Sequence, residues 1–365
     1  MTALLRSIAI AYPDRGAPQS QLADISVAFS PELADRGPLV QRLYAATSVA
    51  HRGITVLDPS RAGEPASQSF YPRDGTAAPT THDRMIRWLL EASKLSLRSS
   101  KQALSRAAIA PHQITHLVTA SCTGFAAPGV DHALIDGLAL PATVERVNVG
   151  FMGCHAMINA LRVARGLVAA EPRAVVLVVA AEVSSLHFQQ TNLTTDQIIA
   201  NALFADGSAA CVVTSDDAKP AHLATLASTA SCTIPASRSA MSWTVGDHGF
   251  VMTLAKEVPA LIESNLRPWL ASWLDAHGVA IADVRSWCVH PGGPKVLDSV
   301  ERALSLPSQA LASSRETLRN HGNMSSPTVI SILERELQRD PNPWPCVLLA
   351  FGPGLTAEAA LLQMS

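Results

Sequence analysis

Asn148 to Gly166 reads NVGFMGCHAMINALRVARG. Met157, Ala160, Leu161 and Ala164 recur at helical spacing while Arg162 and Arg165 fall on another face, so a helix begins near Cys154. Gly150 and Gly153 let the backbone turn tightly before it. A thiol at a helix N-terminus meets unpaired N–H donors and the positive end of the dipole, which favours thiolate. A buried cysteine serving as a small apolar residue is the plainer alternative. The rest of the chain has to decide between the two.

With 365 residues the chain has room for two domains, or for one large domain built from two halves. Apolar residues make up 48% and charged residues 16%, enough to bury a large core and too apolar for disorder. A formal net charge of −2 and few aromatics give no case for a nucleic-acid partner. Cys122, Cys154, Cys211, Cys232, Cys288 and Cys346 form no C-x-x-C pair and no metal-ligand spacing, as suits reduced thiols in the cytoplasm. The N-terminal MTALLRSIAIAYPDRG has too short an apolar core for a signal peptide. The longest strongly apolar run, Ala174 to Ala181, is far too short to span a bilayer.

Asp58 to Thr81 is rich in Pro, Gly, Ser and Thr and reads as a surface loop. A helix follows from about His82 to Ala108, its basic positions Arg84, Arg87, Lys94, Arg98 and Lys101 forming a solvated face. Strands are expected at His116–Ala120, Ala174–Ala181 and Ala209–Thr214, with helices ending at Leu138, starting near Cys154 and lying near Ile198. The second half repeats this more faintly. A helix from Val258 to His277 leads to the strand Trp287–Val289 and a further helix, and the strand Cys346–Phe351 precedes a last strand. The alternation is α/β, and the similar order of the modules suggests an internal duplication.

Two further segments suit chemistry with Cys154. In WCVHPGGPK, His290 closes an apolar strand before a glycine turn; a buried structural histidine is the alternative. In NHGNMSSPT, Asn323 lies in a turn that opens a helix, where it is either an N-cap or an oxyanion donor. His155 is a poor base for Cys154, because neighbours on a helix do not face each other.

GFMGCHA at Cys154, ALFADGSAA at Phe204, CVHPGGPK at His290, GNMSSPT at Asn323 and FGPGLT at Phe351–Thr356 together resemble the signature blocks of type III polyketide synthases, the chalcone synthase-like family. Their order and spacing match over nearly the whole chain, and GDHGFVM at Gly246–Met252 is closer to the bacterial and fungal branches. The resemblance implies a thiolase fold, two duplicated halves in five αβαβα layers, and a homodimer. Residues 1–220 then form the half carrying the cysteine and 221–365 the half carrying the histidine and asparagine.

The resemblance makes Cys154 the nucleophile that takes an acyl group from a CoA thioester, with His290 as its imidazolium partner. His290 and Asn323 hold the thioester oxygen of malonyl-CoA as it decarboxylates. Phe204 matches a gatekeeping phenylalanine between CoA tunnel and cavity, and Met252 stands where the family has a second one. Ala127 replaces a methionine that reaches across the dimer, His187 a small polar residue and Trp243 a glycine. Room opened on one side and closed on another resembles bacterial members that accept a long alkyl starter. Glu182 and Ser325 match two residues of a water-holding network used in aldol closure, but Cys122 stands in place of its threonine. A thiol is a weak donor and acceptor, which tips the expectation toward an α-pyrone over a resorcinol-type ring. Arg52 and Lys295 are the expected CoA contacts. Acyl-CoA and malonyl-CoA are the expected substrates, with no metal and no prosthetic group. The alternatives are a ketoacyl-ACP synthase III-like enzyme on the same fold, or a retired acyl-CoA-binding scaffold lacking the reaction.

Overall fold

The computed structural model describes residues 2–59, 64–73, 78–215 and 223–364. The expected division between residues 220 and 221 falls outside them, as does part of the Asp58–Thr81 loop.

β1 (Leu4–Ala11) is followed by a small hairpin-like pair, β2 (Gly16–Pro18) and β3 (His51–Gly53), which brackets α1 (Gln19–Ala28) and α2 (Gly37–Ala46). α3 (Thr81–Ala107) starts on a capping box in which Thr80 and Asp83 satisfy each other's backbone N–H groups. Next come β4 (His116–Ser121), α4 (Val130–Leu138), β5 (Glu145–Gly150), α5 (Ala156–Ala170), β6 (Val175–Val183), α6 (Thr195–Leu203) and β7 (Asp206–Thr214). The remainder comprises β8 (Ala224–Thr233), the hairpin β9 (Met241–Gly246) and β10 (Gly249–Leu254), α7 (Val258–Asp275), β11 (Ser286–Val289), α8 (Pro294–Leu304), α9 (Ala312–His321), α10 (Thr328–Arg339), β12 (Cys346–Gly352) and β13 (Thr356–Gln363).

Nine strands form one sheet in the order β11-β12-β13-β8-β1-β7-β6-β4-β5. Its two ends follow one plan. From β4 the order runs through β6 and β7 to β1, with a parallel pair and then two antiparallel pairs. From β11 it runs through β12 and β13 to β8, again parallel and then twice antiparallel. The short antiparallel contact of Leu4 and Leu5 with Thr225 and Ala224 joins the two.

The cores show the layers. α5 and α10 bury Met157, Ile158, Leu161, Val329, Ile330 and Leu333 in one cluster with strands from both ends of the sheet, so these helices form the middle layer. α3, α4 and α6 cover the β4–β7 end from outside. α7 and α8 cover the β11–β13 end. β6 is buried on both faces, which explains its unbroken apolar run.

Three strands carried little sequence signal. β1, weighed only as a leader, lies near the middle of the sheet and is wholly buried. β5 is a mostly exposed edge strand of polar composition, and β8 consists largely of Ala, Ser and Thr. The solvated face expected for α3 also needs a correction at Arg84. It is among the largest fully buried side chains, donating to the carbonyls of Pro79, Leu186 and Phe188 and lying 5.3 Å from the Tyr71 ring centroid. Three carbonyl acceptors and an aromatic face replace the water that a guanidinium normally requires.

Candidate active site

Cys154 occupies a single 3-10 turn, Gly153–His155, that runs directly into α5. The bend ahead of it is tight, with φ of +60° at Phe151 and +76° at Gly153. A Cβ on Gly153 would sit 2.2 Å from Cδ of Pro353, in the turn after β12, so this glycine is needed for both its φ and its lack of a side chain. The bend presents Cys154 to a narrow cavity whose walls include Cys122, Thr123, Phe204, Trp243, Met252 and Ser325.

The helix start does not produce a thiolate by itself. Burial pushes the Cys154 thiol up to about 12, the Glu182 carboxylate acts in the same direction, and only the Ser325 hydroxyl opposes them strongly. The advantage of one helix end is outweighed by desolvation of the charge.

Behind Cys154 runs a chain of polar contacts. Ser325 Oγ lies 3.5 Å from Cys154 Sγ and 3.2 Å from Cys122 Sγ, and Cys122 Sγ lies 3.4 Å from Glu182 Oε1. Glu182 is fully buried and also accepts from Ser121 Oγ, the backbone N–H of Cys122 and Thr123, Thr123 Oγ1 and Ser326 Oγ. Burial still holds its pKa above the usual carboxylate range. Glu182 therefore stands behind the wall that Cys122 and Ser325 form.

His290 follows β11, and its N–H donates to the Leu349 carbonyl of β12 at 2.7 Å. Three residues later β12 reaches Gly352, against His155 and the Met152 carbonyl, which brings the histidine and cysteine strand ends to one side of the sheet. The ring is buried, neither nitrogen has a hydrogen-bond partner among the described residues, and desolvation pushes its pKa down to about 3. Asn323 is fixed to the Phe204 segment, its N–H donating to Leu203 and its carbonyl accepting from Ala205. Its Oδ1 accepts the Ser325 N–H at 2.7 Å.

Trp243 and Met252 face each other across the β9–β10 hairpin. Trp243 Nε1 donates to the Cys122 carbonyl at 2.7 Å, so the indole is pinned as a wall. Together with Ser184 and Phe204 these two residues also border a second, partly open pocket, lined mainly by apolar side chains including Leu22, Ile25, Phe29, Ile54, Val56 and Leu57. His187 borders this second space. Its Nε2 donates to the Thr123 carbonyl at 2.7 Å, and its Nδ1 accepts the Phe250 N–H at 3.0 Å. Burial pushes its pKa down to about 3, so the ring is a neutral brace stacked 4.1 Å from Phe250.

The remaining expected residues lie elsewhere. Ala127 is exposed and borders neither cavity. Lys295 is exposed in the first turn of α8. Arg52 departs from the expected tunnel mouth. It is 4% exposed, donates to Gln19 Oε1 and the Phe204 carbonyl, and lies 5.8 Å from the Tyr44 ring centroid. Its guanidinium is thus taken up by internal partners. Sequence reasoning missed Thr123 and Ser326 on Glu182 and Phe250 on His187. Phe250 shares a strand face with Met252 two positions on, which was the available signal.

Among the described residues no helix is long and apolar enough to cross a membrane. Family models for the chalcone and stilbene synthases match the chain twice, the N-terminal domain over residues 2–217 and the C-terminal domain over residues 225–365. The alpha-pyrone synthesis polyketide synthase-like Pks18 of Mycobacterium tuberculosis is 31% identical, over 99% of this chain and 91% of that protein. Among solved structures, PKS-I from the brown alga Ectocarpus siliculosus superposes with a TM-score of 0.93 at 28% identity, covering 100% of this chain and 98% of that one. The C-terminal type III polyketide synthase domain of Steely1 from Dictyostelium gives 0.88 at 28% identity, covering 100% and 99%. The chain has the thiolase fold and belongs to the chalcone and stilbene synthase family, and it is a type III polyketide synthase, a condensing enzyme of the acyltransferase type.

Proposed function

We propose that this synthase condenses a medium- or long-chain fatty acyl-CoA with malonyl-CoA and closes the product to an alkyl α-pyrone. The observation that carries the reading is the mainly apolar pocket sharing the Phe204, Trp243 and Met252 walls with the Cys154 cavity. Burying an alkyl chain there is favourable by up to about 0.8 kcal/mol per methylene. Two features support the lactone. Pks18 carries α-pyrone synthesis in its name, and the contact chain from Glu182 to Ser325 passes through a thiol rather than a hydroxyl.

Cys154 is the nucleophile and His290 its partner. Its sulfur attacks the acyl-CoA carbonyl, its proton goes to His290, and the C–S bond to coenzyme A breaks with that proton returning to the CoA thiolate. In the extension step the malonyl carboxylate leaves as CO₂. The enolate oxygen meets the free N–H donors of Asn323 and the His290 ring, the enolate carbon attacks the acyl-cysteine, and the C–S bond to Cys154 breaks, freeing its thiolate to take the lengthened chain back from coenzyme A. Preorganised donors of this kind are each worth about 3–4 kcal/mol. Phe204 and Met252 form the gate between the two spaces, and Arg52 holds the Phe204 backbone. Lys295, at a helix N-terminus, is the residue we assign to coenzyme A phosphates.

We also read the chain as two halves, 1–220 and 221–365, on the matching strand order at the two ends of the sheet. A cytoplasmic location is part of the same proposal, and six free thiols are compatible with it. A homodimer through β5 is supported by its exposed edge and by Phe125, Val147, Phe151 and Met152, apolar residues exposed by 38–53%. Sedimentation of Val147→Glu tests this: a shift from dimer to monomer is expected, and an unchanged dimer contradicts it.

Burial, with the Glu182 carboxylate acting the same way, holds the Cys154 thiol near 12 and burial holds the His290 ring near 3, so reactivity near neutral pH requires the thiol proton to pass to His290. Iodoacetamide inactivation against pH should have its midpoint near neutrality in the wild type and move up by several pH units in His290→Ala. Superimposable profiles would show that His290 does not ionise the thiol. Filling the apolar cavity with Ile25→Trp should lower kcat/KM for dodecanoyl-CoA at least tenfold while leaving hexanoyl-CoA within about twofold. Equal losses at both lengths would remove the cavity from starter recognition.

A further inference from the structure

His116 opens β4 and Glu145 opens β5, opposite each other in parallel register. Glu171 caps the C-terminal end of α5, whose other end adjoins Cys154. The His116 ring is 2% exposed, and its Nε2 has no hydrogen-bond partner among the described residues. That nitrogen lies 3.7 Å from Glu145 Oε2 and 3.6 Å from Glu171 Oε1. All three ligand atoms fall within 4.8 Å of one another.

The other ring nitrogen is already held, with Nδ1 2.8 Å from Thr115 Oγ1. Thr115 Oγ1 accepts the Val175 N–H at 2.9 Å and has the Val175 carbonyl within 3.2 Å, an acceptor that can take its one proton. With the hydroxyl proton so directed, Nδ1 donates to Thr115 and Nε2 presents a lone pair toward two carboxylates. Three electron-rich atoms aimed at one point repel one another unless a cation lies between them.

We propose that His116, Glu145 and Glu171 bind a divalent cation of the zinc class. One imidazole and two carboxylates are ordinary zinc ligands at about 2.0–2.2 Å, which sets ligand atoms about 3.4 Å apart in a tetrahedron. The two histidine-to-carboxylate separations are already close to that. The glutamate side chains are 71% and 55% exposed, so they can close the remaining gap and leave a fourth position to water. The Thr115 bond orients the imidazole as partners of metal-ligating histidines do. β4 separates this site from the Ser121–Thr123 segment by about 17 Å at 3.3 Å per residue, so the cation takes no part in the chemistry. It ties the starts of two strands to the end of the helix that carries the nucleophile.

The test uses full-length protein freed of metal with a chelator and titrated with Zn²⁺ by calorimetry, with Co²⁺ absorption as a second probe. One equivalent should bind and raise Tm. Glu145→Gln/Glu171→Gln, which alters only exposed side chains, should weaken binding at least tenfold and abolish the rise. Cys154→Ala should bind as the wild type does, which separates this site from metal capture by the active-site thiol. No binding at 100-micromolar-scale zinc (about 10⁻⁴ M, an affinity of ~5–6 kcal/mol), or equal binding by wild type and the double glutamine variant, overturns the proposal.

Discussion

A buried carboxylate satisfied by hydrogen-bond donors holds this active site together. Glu182 sits at the end of β6 with no exposure, and donors reach it from the Ser121–Thr123 segment after β4 and from Ser326 before α10. Each lost partner at such a group costs about 1–3 kcal/mol. The two segments are therefore fixed relative to β6, and Ser325 and Cys122 are fixed with them. Ser325 reaches Cys154 and the Cys122 carbonyl anchors Trp243. The back wall of the cavity and the surroundings of Cys154 thus derive from one charge.

The opposite wall is mainly apolar, and its few polar side chains are satisfied internally. His187 braces Thr123 against Phe250 without carrying charge, and Arg52 is confined to Gln19, Tyr44 and the Phe204 carbonyl. Through Ala205 and Leu203 the same Phe204 segment holds Asn323. The proposed gate and the proposed oxyanion donor are accordingly one piece. Rigid donors need no reorganisation as negative charge develops, whereas an apolar space beside them discriminates among alkyl chains only gradually.

Much of the fold was legible because its signals are local. The run in β6, the amphipathic helices α3 and α7 and the glycine turns before Cys154 and after His290 each follow from a few adjacent residues. β1 was not legible, since nothing in LLRSIAIA says that it joins two ends of a sheet. Motif order brought Cys154, Phe204, His290 and Asn323 forward as candidates, although no spacing could reveal that Asn323 is bonded to the Phe204 segment. Charge on Arg84 and Arg52 suggested solvent or a phosphate, and both instead bind carbonyls that only the folded chain brings near them. The ionisation of Cys154 was equally hidden, because the burial that governs it, and the opposing effects of Glu182 and Ser325, arise only in the folded chain.

The central claim is that Cys154 carries the growing chain in a cavity suited to fatty acyl groups. Intact-protein mass spectrometry with peptide mapping, after exposure to dodecanoyl-CoA without malonyl-CoA, tests it most directly. The account predicts one dodecanoyl adduct on the peptide containing Cys154, discharged as an alkyl α-pyrone when malonyl-CoA is added. An adduct on another residue, or an unmodified protein that yields no product, would contradict it.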